Sequence, residues 1–254
     1  ITMFTLLVIL WLVSKDINPS YKLAWTILIM AVPVFGLVLF LLFGTSRVAR
    51  EMEQRFEIIR KSGEKYLKGE ERTRERLKEQ DPSAYVQSEY IRKNAGYPAC
   101  ENTTAEYFQV GDDMFPALIG ELEKARHFIF MEYFIIEEGI MWGRILEILM
   151  KKAGEGVEVR LMYDGTCESS LLPHDYPKRL AGLGIKCKIF APVTPFLSTH
   201  YNYRDHRKIV VIDGKVAFTG GVNLADEYIN ERERFGHWKD TAIMLRGEAV
   251  KSFT

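Results

Sequence analysis

The chain has 254 residues, room for one good-sized domain and an accessory segment, and its 34 Lys and Arg balance its 34 Asp and Glu. A zero net charge speaks neither for nor against nucleic acid. Three scattered cysteines (Cys100, Cys167, Cys187) exclude a disulfide framework and a zinc site, and read as reduced thiols. The averages conceal an asymmetry, because residues 1–43 are almost wholly apolar and the charges crowd into the remainder.

Residues 1–13 carry no charge but reach only about 20 Å as a helix, short of a hydrocarbon core of about 30 Å. Residues 23–43 also lack charge and are long enough to cross, with Pro33 and Gly36 tolerated as they are in membrane helices. A polar turn from Lys15 to Ser20 separates the two. The pattern predicts a membrane hairpin of two transmembrane helices over 1–43, the first lacking its beginning. With Ile1-Thr2-Met3 at one end and an uncapped Lys251-Ser252-Phe253-Thr254 at the other, the chain reads as a fragment of a longer protein.

Arg47, Arg50, Arg55, Arg60 and Lys61 follow the second apolar segment, against Lys15 and Lys22 in the turn. That bias predicts a multi-pass protein of a cytoplasmic membrane with its C-terminal part on the cytoplasmic side. Residues 44–103 read as a charged linker whose stretch 46–80 is a solvated helix closed by Pro82. Tyr97-Pro98 marks a second break.

From about residue 104 the texture alternates. Helices are predicted from Met114 to Arg126, Gly139 to Lys152 and Tyr176 to Leu183. Strands are predicted over Phe128–Ile136, Val157–Tyr163, Ile185–Phe190, Lys208–Ile212, Lys215–Thr219 and Thr241–Leu245. Asp213-Gly214 is a hairpin signal. The sum is an α/β domain, a mixed sheet flanked by helices, over 104–254. No glycine-rich phosphate loop is present, which argues against nucleotide chemistry.

The informative stretch is His200 to Asn223. His206 and Lys208 stand two apart, so on an extended segment they share a face, and Asp213 follows at the hairpin end. An imidazole can attack phosphorus and form a covalent intermediate, an ammonium and an amide suit phosphate oxygens, and a carboxylate can fix the imidazole tautomer. Such a set transfers a phosphoryl-type group without a metal or other cofactor. As a lone pair, His-x-Lys on a strand is as often structural as functional.

The full string resembles the HxK(x)4D(x)6GGxN signature of the phospholipase D superfamily, met by His206, Lys208, Asp213, Gly220, Gly221 and Asn223. With the apolar N-terminal segments, Asn18-Pro19, Lys22-Leu23-Ala24-Trp25, Phe43-Gly44, Met131-Glu132-Tyr133-Phe134 and Asp164-Gly165, essentially the whole chain is similar to bacterial cardiolipin synthases of that type. The resemblance implies a phospholipase D-like half-domain and a phosphatidyltransferase that joins two phosphatidylglycerol molecules into cardiolipin, releasing glycerol through a phosphohistidine. It implies His206 as nucleophile or its acid/base partner, Lys208, Asn223 and Gly221 against phosphate, and Asp213 in support. Family members carry two such motifs sharing one site. This chain holds one, so the second half-site is expected from a C-terminal half or another copy.

Arg204 and His200 share the parity of His206 and are candidate site-lining residues, each as readily structural. Glu132 is costly within an apolar strand unless paired, which favours a site-supporting role. His237, Trp238 and Asp240 read as packing and rim, and Asp164-Gly165 as a strand end near the cleft. Asp205 stands where the family has an amide. Two other readings stand beside the synthase: a phosphodiesterase or nuclease working as a homodimer, and a catalytically silent lipid-binding fragment. The apolar segments and neutral balance disfavour nucleic acid as a partner and favour anionic phospholipid.

Overall fold

The computed structural model describes residues 2–15, 19–44, 57–67, 69–192 and 204–254. Turn residues 16–18, the basic stretch 45–56 and His200 lie outside the described residues. The chain forms two compact units, divided between Lys65 and Tyr66. Residues 66–103, read from composition as linker, therefore group with the second unit.

The first unit holds α1 (Thr2–Ser14), α2 (Pro19–Ala31) and α3 (Pro33–Phe43). The expected single helix over 23–43 is corrected here. Pro33 has no N–H to continue the ladder and keeps the residue before it from helical geometry, and Val32 adopts φ −137°, ψ 79°. The apolar stretch thus divides into helices of 13 and 11 residues, and among the described residues no helix is long and apolar enough to cross a membrane. The halves double back on each other: the Trp25 and Phe40 rings stand 5.3 Å apart, and the Tyr21 hydroxyl donates to the Gly44 carbonyl. Gly36 makes this approach possible, since a Cβ there would lie 2.9 Å from the Ile29 Cα. Leu12, Ile29 and Phe40 form the small buried core.

In the second unit, α4 (Glu71–Gln80) and α5 (Pro82–Ala95) form a helical hairpin. Pro82 ends the first helix but also opens the second at its first turn, where a missing N–H costs nothing, and Asp81 caps it through Ser83 and Ala84 N–H. Arg74 pairs across the hairpin with Glu89 at 2.7 Å.

The rest builds on one seven-stranded sheet. Along the chain come β1 (Thr103–Phe108), α6 (Gly111–Glu123), β2 (Phe128–Tyr133), α7 (Ile140–Gly154), β3 (Glu158–Asp164), α8 (Cys167–Ser170), α9 (Tyr176–Gly182), β4 (Lys186–Phe190), β5 (Ile209–Ile212), β6 (Val216–Gly220) and β7 (Ala242–Gly247). The spatial order is β1-β7-β6-β5-β2-β3-β4. The pairs β2–β3 and β3–β4 are parallel, joined by helical crossovers, and the others are antiparallel.

The main core lies on the face packed by α6 and α7, where Leu118, Leu122, Met141, Trp142, Ile145 and Leu149 meet alternate residues of β2 and β3. The opposite face has a smaller cluster of Val211, Ala217 and Val250, the last from a 3-10 turn over Glu248–Phe253. Sequence periodicity misses β1, α5 and this turn. The first two carry alternating or mixed polarity without an apolar stripe.

Candidate active site

The segment Arg204–Lys208 leads into β5, the strand itself starting at Ile209. Alternation places its side chains on opposite sides. His206 is exposed, and its ring lies 4.7 Å from that of Phe134, just past the end of β2. Lys208 is 4 % exposed, its ammonium 5.2 Å over the same Phe134 ring and donating to the His206 carbonyl at 2.7 Å. The predicted pairing of His206 and Lys208 is therefore present, mediated by an aromatic ring that spacing alone does not single out. Burial pulls the Lys208 ammonium below its ordinary value, partly offset by the carboxylates of Asp240 and Asp205.

Asp164, 1 % exposed at the end of β3, positions the segment. Its carboxylate accepts from Arg204 Nη1 at 3.2 Å, from the Asp205 N–H at 3.4 Å, and from both N–H and hydroxyl of Thr166. Arg204 also donates to the Ala191 carbonyl at 2.8 Å. Arg204 thus clamps two strand ends to the motif.

Asp205 and Arg207 face away from His206. The Arg207 guanidinium donates twice to the Asp205 carboxylate and its backbone N–H once, and its Nε lies 2.9 Å from Glu132 Oε1. The single Nε–H is directed at Asp205, so Glu132 Oε1 is buried with no hydrogen bond. Burial, then the hydrogen bond to Asp205, push the Glu132 carboxyl up to about 7, against the pull of Arg207. For Asp205, burial pushes upward, but hydrogen bonds with Arg207 and Glu132 outweigh it and hold the carboxyl at about 2. The two carboxyls are thus driven in opposite directions, Glu132 towards its neutral form and Asp205 towards its charged form. This cluster supports the strand from behind and does not line the space before His206.

Three predicted site residues take framework positions. Asp213 sits at the far end of β5, about 20 Å along the strand from His206. It has a positive φ of 54°, and its carboxylate accepts from the backbone N–H of Arg126, His127 and Phe128 at 2.9, 2.7 and 2.9 Å. Burial alone would raise this carboxyl, but the three donors outweigh it and hold it below its ordinary value. Asn223, 2 % exposed, accepts from Ile135 N–H and donates to the Tyr228 hydroxyl, both at 2.9 Å, bracing the loop that carries Phe134. Gly221 gives its N–H to the Thr241 carbonyl at 2.9 Å, and a Cβ there would strike the Asp240 carboxylate. The missing side chain permits that close approach.

Asp240 itself is a residue the motif does not reveal. Trp238 Nε1 donates to it at 2.9 Å, holding its charge near Lys208. Among the described residues no group of three or more His, Cys, Asp or Glu side chains could hold a metal ion. The arrangement offers one exposed imidazole beside one desolvated cation on a rigid aromatic support.

Comparisons with known proteins fit this geometry. Residues 2–44 match the family described as phospholipase D-nuclease N-terminal. A Streptococcus mutans protein described as uncharacterized is 49% identical over 247 residues, 97% of this chain and 53% of its own length. Cardiolipin synthase 2 of Bacillus cereus is 36% identical, covering 92% of this chain and 46% of its own. The cardiolipin synthase of Geobacillus thermodenitrificans is 34% identical at 92% and 47%. The chain thus spans about half the length of the curated relatives it matches. Residues 118–244, which carry β2 to β6, the His206–Lys208 pair and the first half of β7, match the family described as cardiolipin synthase, PLD-like domain, and the chain belongs to that family.

Proposed function

We propose that this chain supplies one half-site of a phosphatidyltransferase that makes cardiolipin from two phosphatidylglycerol molecules. The observation that carries the reading is the exposed His206 imidazole beside the buried Lys208 ammonium on Phe134. A ring nitrogen of His206 attacks phosphorus: the N–P bond forms, the P–O bond to the glycerol headgroup breaks, and glycerol leaves with a proton from an acid of the second half-site. A hydroxyl of a second phosphatidylglycerol, losing its proton to that same group, then attacks phosphorus. The new P–O bond forms and the N–P bond breaks, restoring His206. Lys208 balances charge on the phosphoryl oxygens, and its low-dielectric position strengthens that interaction. A second motif, from a C-terminal half or another copy, completes the site.

The apolar first unit associates with the membrane that holds the substrate, and the basic residues after it favour a cytoplasmic-side domain. The test follows lipid products in phosphatidylglycerol vesicles by mass spectrometry. Cardiolipin and glycerol from the parent chain, and neither from His206→Ala, support the reading. Phosphatidic acid in place of cardiolipin identifies water as acceptor and a hydrolase instead. Equal turnover by both proteins removes His206 from the chemistry and overturns the reading.

A further inference from the structure

The first unit sorts its side chains by height. At one end, Lys22 Nζ donates to the Val13 carbonyl at 3.0 Å, and the Lys15 ammonium stands 4.9 Å over Trp11. The Tyr21–Gly44 hydrogen bond lies at this end too, as the first turn of α2 meets the residue after α3. At the other end, the bend between α2 and α3 presents Met30, Val32, Val34 and Phe35, all exposed. Between the ends, Leu7, Leu10, Leu23 and Ile27 are each more than half exposed, so apolar surface faces outward from α1 and α2 alike. Water does not accommodate such a surface without a covering partner.

Length decides how lipid would cover it. Were 19–44 one straight helix, Tyr21 and Gly44 would stand about 35 Å apart, and the segment would cross a core of about 30 Å. Bonded to each other, they put both ends of α2–α3 at one level, and the 13 residues of α2 carry the bend only about 20 Å from it. The bend is well formed for a lipid setting: Val32, its one non-helical residue, has its N–H bonded to the Leu28 carbonyl and its carbonyl to the Gly36 N–H. Trp11 and Tyr21 ring the polar end, where amphipathic aromatics favour headgroups, and Lys15 and Lys22 there suit anionic lipid.

We infer that α2 and α3 form a re-entrant hairpin, entering the hydrocarbon of an anionic membrane and returning to the same surface. This rests on the membrane association proposed above and replaces a crossing with a one-sided wedge. Lys15, Lys22 and the chain leaving at Gly44 then share one side, so no basic residue of the turn has to be moved across the bilayer.

The test uses the chain produced in bacterial cells and a membrane-impermeant maleimide. Exposed Cys100 reports the side of the second unit. Lys15→Cys and Val34→Cys, each in a Cys100→Ser background, report the two ends of the hairpin. Lys15→Cys is expected to label as Cys100 does, protected in intact spheroplasts and reactive in inverted vesicles, with Val34→Cys reactive in neither. Lys15→Cys labelled from the side opposite Cys100, or Val34→Cys labelled from either side, overturns the hairpin while leaving membrane association standing. Extraction of the parent chain by alkaline carbonate instead removes the membrane reading and the hairpin with it.

Discussion

The Asp213 carboxylate accepts a hydrogen bond from the His127 N–H at 2.7 Å, tying the β5–β6 turn to the start of β2. With the Arg126 and Phe128 N–H groups it fills the donors of one strand entry, at the end of the sheet opposite His206. Asp213→Ala is therefore expected to cost about 2 kcal/mol of stability in urea unfolding. Protein that remains folded should keep most of its turnover. Because the folded-state carboxyl is held low, its contribution is present above the ordinary value near 3.8 and is lost as pH falls through the folded value. Asp213→Asn should flatten that acid limb. A variant of unchanged stability that has lost its turnover would place Asp213 in the chemistry.

Glu132 has the opposite sign. Its folded carboxyl is raised, so the neutral form's contribution is complete below the ordinary value near 4.5 and is lost as pH rises to about 7. Stability of the parent should decline across that window, and Glu132→Gln should remove the decline. Urea midpoints from pH 4.5 to 8 check this. A slope that persists unchanged in Glu132→Gln would assign it to other groups.

Phe134 supports both groups of the pair. Phe134→Leu keeps bulk but removes the ring face under Lys208, a contact worth about 0.5–2 kcal/mol, so turnover is expected to fall about tenfold. Lys208→Ala removes the cation itself and should cost about 100-fold or more. Both are read as cardiolipin formed per unit time, beside a thermal melt showing that the fold persists. Full turnover in Phe134→Leu would reduce the ring to packing.

Gly221→Ala separates packing from phosphate binding. The added methyl meets the Asp240 carboxylate, so stability should fall by about 1–3 kcal/mol as β6 and the Asp240 loop are forced apart. A stable variant with a raised KM for lipid would restore Gly221 to a phosphate-contacting role.

The sequence by itself determined much of this protein. Alternating apolar strands and striped helices announce the α/β domain, because periods of 2 and 3.6 are written directly in residue order. The spacing of His206 and Lys208 likewise puts two side chains on one face without reference to any other strand. The tertiary structure alone decided what those residues meet. Phe134, Asp164 and Asp240 come to the motif from 72, 42 and 34 positions away from His206, as the numbering shows. Asp213, adjacent in the motif string, is carried to the opposite end of the sheet by the length of β5. The apolar segment 23–43 shows the same limit: hydropathy measures its length, but whether it continues or turns depends on Pro33 together with the Gly36 and Tyr21–Gly44 contacts. Local pattern encodes which face a residue takes, and long-range packing sets its neighbours.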